Sequence, residues 1–224
     1  MKIPAVPRAL TRTAIRQGAL ALAGEDPDLA RLLDKLGEPP MWARRPGFTA
    51  LVQIILEQQV SLAAARTMYR RLYARLGGVT PDAVCAVEAA GLREIGLTRQ
   101  KAGYCFDLAA QVLDGTLDLP SLARLPDDEG RLALQAVRGL GPWSVDIYYV
   151  TALRRPDIWP RGDLALAAAL RDVKRLGHLP DNEEQQALAR RWAPWRSVAA
   201  RFMWAQYLSA RGKYSSESDS GKRT

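Results

Sequence analysis

A glycine-rich turn between two apolar stretches has the composition of an anion-binding helix start. Gly139-Leu140-Gly141 follows the first stretch, and Pro142 stands where the next helix would begin. Glycine allows a tight turn and the close approach of another backbone, and proline favours the first helical position. N–H groups at the start of a helix point outward and can receive a phosphate. An ordinary helix–helix turn with a glycine cap accounts for the same residues, so both interpretations stay open.

A single carboxylate follows at the end of a second loop. Asp163 comes after the loop of residues 157–162 and directly before the apolar run of residues 164–170. Aspartate is a favoured N-cap, and the positive end of a helix favours its anionic form. A carboxylate held in this way can stabilise positive charge that develops in a transition state. The capping role and the catalytic role are compatible.

Helices must position both segments, since the periodicity is helical throughout. Leu51, Ile54 and Ile55 follow the spacing of one helix face, and β-type alternation is scarce. We therefore expect an all-α protein. The predicted helices cover residues 11–23, 28–36, 47–58, 62–76, a short stretch from residue 80, 88–93, 98–114, 126–137, 142–153, a stretch from residue 163, 182–191 and 195–211.

The composition is that of a globular, basic protein. The chain has 224 residues, of which 48% are hydrophobic and 25% charged, and its formal net charge is +8. That length suits one compact unit or two small lobes. Such a basic surface favours binding of polyanions, because neutralised phosphates release counterions. It can also serve solubility alone, so charge does not decide between the two.

The cysteine and histidine content excludes common metal sites. Cys85 and Cys105 are not in a C-x-x-C pair, and His178 is the only histidine. These residues cannot form a zinc site, and two thiols cannot hold an iron–sulfur cluster. We expect both thiols to be buried and reduced. The N-terminus lacks a long apolar stretch, which predicts no signal peptide, no membrane span and a cytoplasmic location.

Taken together, the motifs resemble those of a known family. Residues 137–144 (VRGLGPWS) and 159–164 (WPRGDL) resemble the helix-hairpin-helix-Gly-Pro-Asp superfamily of DNA glycosylases. Residues 48–61 look like the helix and wedge-bearing turn of its 3-methyladenine DNA glycosylase II branch. Residues 191–204 look like the C-terminal signature of that branch, and residues 96–102 also fit. The resemblance runs from about residue 25 to residue 211, and the motifs in this order are highly specific.

The resemblance implies a fold of two helical lobes flanking a cleft. One lobe, residues 46–153, would carry the helix-hairpin-helix motif. The other, residues 1–45 and 154–211, would carry Asp163 facing the hairpin lobe. The best-known member of the branch has an additional N-terminal β-rich domain, for which too few residues precede Phe48 here. Residues 212–224 are low in apolar content and are predicted to be a disordered tail.

The resemblance also implies a reaction. The chain is expected to be a monofunctional DNA glycosylase that hydrolyses the N-glycosidic bond of alkylated bases such as 3-methyladenine and 7-methylguanine. The base must be flipped out of the stack first. Asp163 would stabilise oxocarbenium character at the anomeric carbon and orient the attacking water. The expected partner is double-stranded DNA containing alkylated bases, bound by a monomer that is nucleoid-associated if bacterial.

Matching positions suggest the DNA contacts. By resemblance, Gln59 is the wedge that fills the vacated stack, although a turn residue bonded locally would look the same. The backbone amides of Gly139, Gly141 and the residues just after, Ser144 among them, would bind phosphate near the lesion. In the family, hairpin carbonyls also hold a monovalent cation. The matching positions for Na+ or K+ are Gln135, Val137 and Leu140, and no other cofactor is expected.

Two tryptophans occupy positions that match aromatic residues of the family's base pocket. Trp143 occupies the place of the Schiff-base lysine of lyase members, which implies hydrolysis by water alone. Trp143 and Trp204 match pocket aromatics, whose electron-rich faces suit a cationic base. Ile147 stands where the branch can carry an aromatic residue, which implies a roomier pocket. Trp192 and Trp195 are expected in a lobe core.

The remaining basic residues are given no catalytic role. Lys101 and Lys174 match no motif lysine and are expected to be solvated or to face phosphate. A basic run on one predicted helix is expected to be a solvated face; it consists of Arg66, Arg70, Arg71 and Arg75. Two other functions stay open: a glycosylase for mismatched or oxidised bases, and a non-catalytic DNA-binding module that uses the hairpin alone.

Overall fold

The computed structural model describes residues 6–214, and its regular structure in that range is entirely helical. The prediction of an all-α protein is confirmed. The helices are α1 Arg12–Glu25, α2 Pro27–Leu36, α3 Phe48–Glu57, α4 Leu62–Leu76, α5 Pro81–Glu94, α6 Arg99–Leu113, α7 Leu119–Leu122, α8 Asp127–Gln135, α9 Pro142–Thr151, α10 Leu164–Lys174, α11 Asn182–Ala189, the 3-10 helix Arg190–Trp192 and α12 Arg196–Ser209.

The chain divides into two compact units. Unit 1 combines Met1–Ala43 with Tyr149–Thr224, and unit 2 is Arg44–Tyr148. Unit 1 therefore contains α1, α2 and α10 to α12, while unit 2 contains α3 to α8, and the boundary falls within α9. Most of the predicted tail, residues 215–224, lies outside the described residues.

The helix boundaries differ from the predicted ones by a few residues, with two informative cases. The range α5 consists of two helices joined across a kink at Glu88, whose backbone has φ 54° and ψ 177°, which agrees with the two short helices predicted from residue 80 and over 88–93. Helix α7 was missed because it is only four residues long. Asp118 caps it and proline follows at the start, a signal that is present in the sequence but too short to show periodicity.

The core of unit 1 forms around α12. Val198, Phe202 and Met203 are buried on this helix, and Trp192 and Trp195 are buried beside it. The expectation that these two tryptophans belong to a core is confirmed. A Cβ atom on Gly18 would lie 2.7 Å from the ring of Trp195, so α1 packs on that indole only because residue 18 is glycine.

A buried ion cluster ties α2 to α10 within unit 1. The Nζ of Lys174 lies 2.7 Å from both carboxylate oxygens of Asp26 and 2.7 Å from Asp28. The indole Nε1 of Trp192 also donates to Asp26, at 2.8 Å. The expectation that Lys174 is solvated or faces phosphate is therefore wrong. Its charge is neutralised by two carboxylates, which a buried ammonium requires.

Unit 2 is built on α3, whose buried residues include Leu51, Ile54 and Ile55. Lys101 reaches it from α6: only 8% of the residue is exposed, and its Nζ donates to the carbonyl of Leu56 at 2.7 Å. Burial lowers the pKa of Lys101. The expectation that Lys101 is solvated or faces phosphate is therefore also wrong.

The predictions for the two cysteines and for the four arginines of α4 are confirmed in part. Cys105 is buried, and burial raises the pKa of its thiol to about 12, whereas Cys85 is partly exposed, so only one thiol is fully buried as expected. The four arginines of α4 are exposed, as predicted for a solvated face. Within the described range, no helix is both long enough and apolar enough to cross a membrane.

Candidate active site and DNA-binding hairpin

Asp163 is fixed at the N-terminus of α10. It has extended backbone angles, and its Oδ1 accepts the N–H of Leu166 at 2.9 Å. Only 6% of the residue is exposed. The sequence-predicted cap therefore forms, and it holds a largely buried carboxylate at the positive end of a helix. A carboxyl group held in this way has the fixed position that stabilisation of a developing positive charge would need.

The loop before Asp163 is anchored by two other helices. Ser197 of α12 both accepts the N–H of Ile158 at 3.0 Å and donates to its carbonyl at 3.1 Å. At the other end of the loop, the N–H of Gly162 donates to Asn182 of α11 at 3.0 Å. These bonds fix the backbone on both sides of residues 159–161, so the position of Asp163 does not depend on its own cap alone.

Trp204 of α12 contacts the same carboxylate. Its indole Nε1 lies 3.4 Å from Oδ1 of Asp163, which makes it a long second donor. The side chain is only partly buried. The structure thus places one predicted pocket aromatic directly beside the predicted catalytic carboxylate.

Trp42 lies next to the candidate site through a contact that the sequence did not reveal. Its ring meets that of Trp204 edge to face, with centroids 6.4 Å apart and an interplanar angle of 62°. Its backbone φ is 40°, a conformation that is sparsely populated by residues other than glycine. The one local signal is a tryptophan soon after two prolines, which does not indicate a contact with position 204. The packing of unit 1 supplies that contact.

The hairpin between α8 and α9 forms as predicted. The N–H of Leu140 donates to the carbonyl of Val137 at 3.0 Å, closing the turn. Gly139 has φ 90°, and a Cβ there would lie 2.3 Å from the ring of Tyr104. Gly141 is exposed, and a Cβ on it would have no other atom within 4 Å. The two glycines therefore have different roles: the first is required by packing, and the second leaves the helix start open.

Some of the backbone amides predicted to bind phosphate lie in the first turn of α9. Pro142 is the first helical residue, as the sequence indicates, and Trp143 and Ser144 follow it. The side chain of Ser144 is not available there, because the residue is 2% exposed and its Oγ accepts from Gln58 at 2.9 Å. A phosphate contact by Ser144 stays a prediction, and it would have to use the backbone N–H.

The predicted wedge lies on a turn next to the hairpin. Gln59 has φ 56° and is exposed, while Gln58 turns inward and bonds to the hairpin carbonyl of Gly139 at 2.7 Å. The outward position suits a side chain that enters a base stack. The wedge role of Gln59 itself stays a prediction.

The residues predicted to line the base pocket belong to different units, and their role stays a prediction. Trp143 and Ile147 lie one turn apart on α9 in unit 2, where Trp143 is partly buried and Ile147 is 5% exposed. Trp204 belongs to unit 1. The hydroxyl of Tyr148, the neighbour of Ile147, accepts the N–H of Gly47 just before α3.

The predicted cation ligands lie at the end of α8. Gln135 is its last helical residue, and Val137 and Leu140 are buried in the following turn. Carbonyl oxygens at a helix C-terminus are suitable donors for Na+ or K+, and the carbonyl of Val137 already accepts one hydrogen bond, from Leu140. In the described residues, no group of three or more His, Cys, Asp or Glu side chains is arranged for a metal ion.

Comparison with known proteins gives the family. The model of the HhH-GPD superfamily base excision DNA repair protein matches residues 52–195. The chain is 27% identical over 165 residues to the putative DNA-3-methyladenine glycosylase YfjP of Bacillus subtilis, covering 70% of this chain and 58% of the relative. It is 24% identical over 200 residues to DNA-3-methyladenine glycosylase 1 of Schizosaccharomyces pombe, covering 86% and 87%. The chain belongs to the HhH-GPD superfamily of base excision DNA repair proteins.

A solved structure supports the fold. The S. pombe 3-methyladenine DNA glycosylase Mag1, determined in complex with abasic DNA, matches with a TM-score of 0.76 and 22% identity, covering 89% of this chain and 99% of that one. At that identity the likeness concerns the fold. The chain spans 58% of the length of YfjP and 56% of the length of a second Bacillus subtilis relative, a DNA-3-methyladenine glycosylase.

Proposed function

We propose that the protein is a monofunctional DNA glycosylase that excises alkylated bases, of the 3-methyladenine and 7-methylguanine type, in base excision repair. The observation that carries the proposal is the buried carboxylate of Asp163. It caps the N-terminus of α10 and is contacted by the partly exposed Trp204. The names of the relatives, DNA-3-methyladenine glycosylases from Bacillus and fission yeast, support the same activity.

The proposed chemistry needs little beyond that carboxylate. Cleavage of the N-glycosidic bond builds positive charge on the deoxyribose, and Asp163 stabilises it and orients the attacking water. An alkylated purine is already cationic, so it leaves without a strong general acid. The backbone N–H of Leu166 and the indole of Trp204, which both contact Asp163, would hold the carboxyl group in place.

We propose hydrolysis by water rather than lyase chemistry through an amine, and the positions of two lysines support this. Trp143 stands where lyase members of the superfamily have their Schiff-base lysine. Lys101 and Lys174 are both held within the fold, the first by the carbonyl of Leu56 and the second by Asp26 and Asp28. Neither ammonium group is placed as a nucleophile.

Aromatic faces would receive the extruded base. Trp42 and Trp204 form an edge-to-face pair beside Asp163, and both rings are partly exposed. An electron-rich ring attracts a cationic base through cation–π interaction and stacking. Trp143 and Ile147 of unit 2 are also proposed to contact the base, with Trp143 providing an aromatic face.

The DNA contacts are proposed for unit 2. The amides of Gly139, Gly141 and Ser144 would hold phosphate of double-stranded DNA, and Gln59 would fill the vacated stack. The net charge of +8 favours such binding. A Na+ or K+ ion on the backbone carbonyls of Gln135, Val137 and Leu140 would offset the negative C-terminal end of α8. We expect a monomer in the cytoplasm, associated with the nucleoid if the protein is bacterial.

The test is the release of free base from DNA carrying alkylated purines, with wild type and Asp163→Asn compared. Asparagine is as good an N-cap as aspartate, so the variant should fold and keep its Tm. Asp172→Asn is the matched control, because it removes the same charge from an exposed position of the same helix. We expect release by wild type and Asp172→Asn, a fall of at least about 100-fold in Asp163→Asn, and unchanged DNA binding.

Two outcomes would contradict the proposal. If wild type binds DNA but releases no alkylated base, the chain acts as a DNA-binding module or on another lesion class. If Asp163→Asn retains full activity, the carboxylate is a structural cap and the catalytic group lies elsewhere. DNA with 8-oxoguanine serves as the comparison substrate in both cases.

A further inference from the structure

The turn that follows α3 is joined to the DNA-binding hairpin by one side chain. We define the wedge turn as residues 58–60. The Nε2 of Gln58 donates to the carbonyl of Gly139 at 2.7 Å and to Oγ of Ser144 at 2.9 Å. One amide therefore connects the wedge turn both to the hairpin glycine and to the first turn of α9.

The chemistry of the partners fixes the direction of that amide. The Gly139 carbonyl can only accept a hydrogen bond, so the nitrogen rather than the oxygen of Gln58 must face it. Ser144 is 2% exposed, and both hydrogen bonds of the Gln58 amide are partly buried. Loss of this donor leaves two partly buried acceptors, the Gly139 carbonyl and Oγ of Ser144, without the Gln58 amide, which costs more than the loss of a fully exposed hydrogen bond.

A second anchor holds the same turn from α6. The Nζ of Lys101 donates at 2.7 Å to the carbonyl of Leu56, in the last turn of α3. A cation at the C-terminal end of a helix also interacts favourably with its dipole. The backbone that enters the wedge turn is thus fixed on one side by Lys101 and on the other by Gln58.

The two glutamines of the turn point in opposite senses. Gln58 faces the hairpin, and Gln59, with φ 56°, is exposed. A positive φ at a residue with a side chain persists where its surroundings hold it, and here both neighbouring anchors do so. If Gln58 were released, the turn could relax and Gln59 would lose its fixed direction.

We propose that Gln58 is a positioning residue that locks the wedge turn to the phosphate-binding hairpin, so that phosphate binding and wedge insertion occur as one rigid unit. The inference rests on the proposed function, since it takes Gln59 as the wedge. Its consequence is specific: Gln58 matters when a base has to be extruded from a paired stack, and matters little when the base is already unstacked.

The main variant is Gln58→Glu, which keeps the size of the side chain but replaces the donor by an acceptor facing the Gly139 carbonyl. Gln53→Glu is the control, since Gln53 lies on α3 and its substitution changes the charge identically. Each protein is assayed on the same alkylated base in a fully paired duplex and in an unpaired bulge. A 2-aminopurine next to the lesion reports extrusion by its fluorescence.

We expect Gln58→Glu to lose on the order of tenfold in release from the paired duplex, with a smaller extrusion signal. Release from the bulge should stay within about threefold, and Gln53→Glu should match wild type on both substrates. Gln58→Met, which removes the donor without adding charge, should show the same selective loss and serves if the glutamate variant does not fold.

The results that overturn the inference are distinct from those that overturn the function. An equal loss on both substrates in folded variants, or no loss on either, shows that Gln58 does not position the wedge. If wild type releases base from neither substrate, the proposed function itself fails. A wild type that is active on both, with no selective loss in the variants, leaves the function standing and removes only the role of Gln58.

Discussion

The indole nitrogen of Trp204 and the carboxylate of Asp163 lie 3.4 Å apart, although 41 positions separate them in the chain. The contact joins the N-terminus of α10 to the middle of α12. It places an aromatic surface and a negative charge side by side, which are the two properties that a cationic leaving base and an oxocarbenium centre require.

Replacement of Trp204 by phenylalanine tests that contact. Trp204→Phe keeps an aromatic face but removes the Nε1–H that reaches Asp163. Because one hydrogen bond is worth about 0.5–1.5 kcal/mol, we expect kcat for an alkylated purine to fall by about three- to tenfold. The measurement is single-turnover base release together with Tm. Tyr207→Phe removes a polar atom from the same helix and should leave kcat unchanged; equal rates for wild type and Trp204→Phe would contradict the role of the indole.

The two hairpin glycines should respond differently to alanine. Gly141→Ala points its methyl group into open space, so Tm should hold while DNA affinity falls on the order of tenfold because the phosphate is kept at a distance. Gly139→Ala would press a methyl group onto Tyr104 at a residue with φ 90°, so it should destabilise the protein by about 1–3 kcal/mol. Thermal melting and DNA titration at fixed salt separate the two effects. A stable Gly139→Ala, or a Gly141→Ala that binds as wild type does, would be evidence against this division of roles.

The stability of unit 1 should depend on pH through Asp26. Burial raises the pKa of this carboxyl, but hydrogen bonds from Lys174 and Trp192 outweigh burial, so the pKa lies below its ordinary value. A carboxyl with a lowered folded pKa stabilises the fold above its unfolded pKa, about 3.9, and that contribution is lost as pH falls through the folded pKa. We expect wild type to lose Tm below about pH 4 more steeply than Asp26→Asn, which should be less stable at neutral pH.

Two further variants check the cause. Asp34→Asn, at an exposed position of the same helix, should leave the pH profile as in wild type. Lys174→Met removes the cation and leaves Asp26 buried without its ammonium partner, which should cost about 3–5 kcal/mol at neutral pH. Parallel acid profiles for wild type and Asp26→Asn would show that another group controls acid unfolding.

Local signals in the sequence were sufficient to predict the hairpin turn, the Asp163 cap and most of the helices. The Gly139-Leu140-Gly141-Pro142 turn and the Asp163 cap were both predicted and both form, because each is specified by residues within one or two turns. The helices were located to within a few residues for the same reason. The exception, α7, has only four residues, too few for a periodic pattern.

Features that depend on distant contacts were missed. Trp42 has no motif, and its place beside Trp204 arises from the packing of α12 in unit 1. Lys101 and Lys174 match no motif lysine and were expected to be solvated or to face phosphate. Both are held by partners that the sequence does not identify, a helix-end carbonyl for the first and two carboxylates for the second.

The sequence by itself determined the helical class, the family motifs and the carboxylate expected to act, because these depend on residue type and short spacing. Tertiary structure decided which side chains surround that carboxylate and which glutamine of the wedge turn faces the hairpin. Gln58 and Gln59 are identical in type and adjacent in the chain. Only the position of the Gly139 carbonyl and Ser144, about 80 residues away, turns one inward and leaves the other exposed.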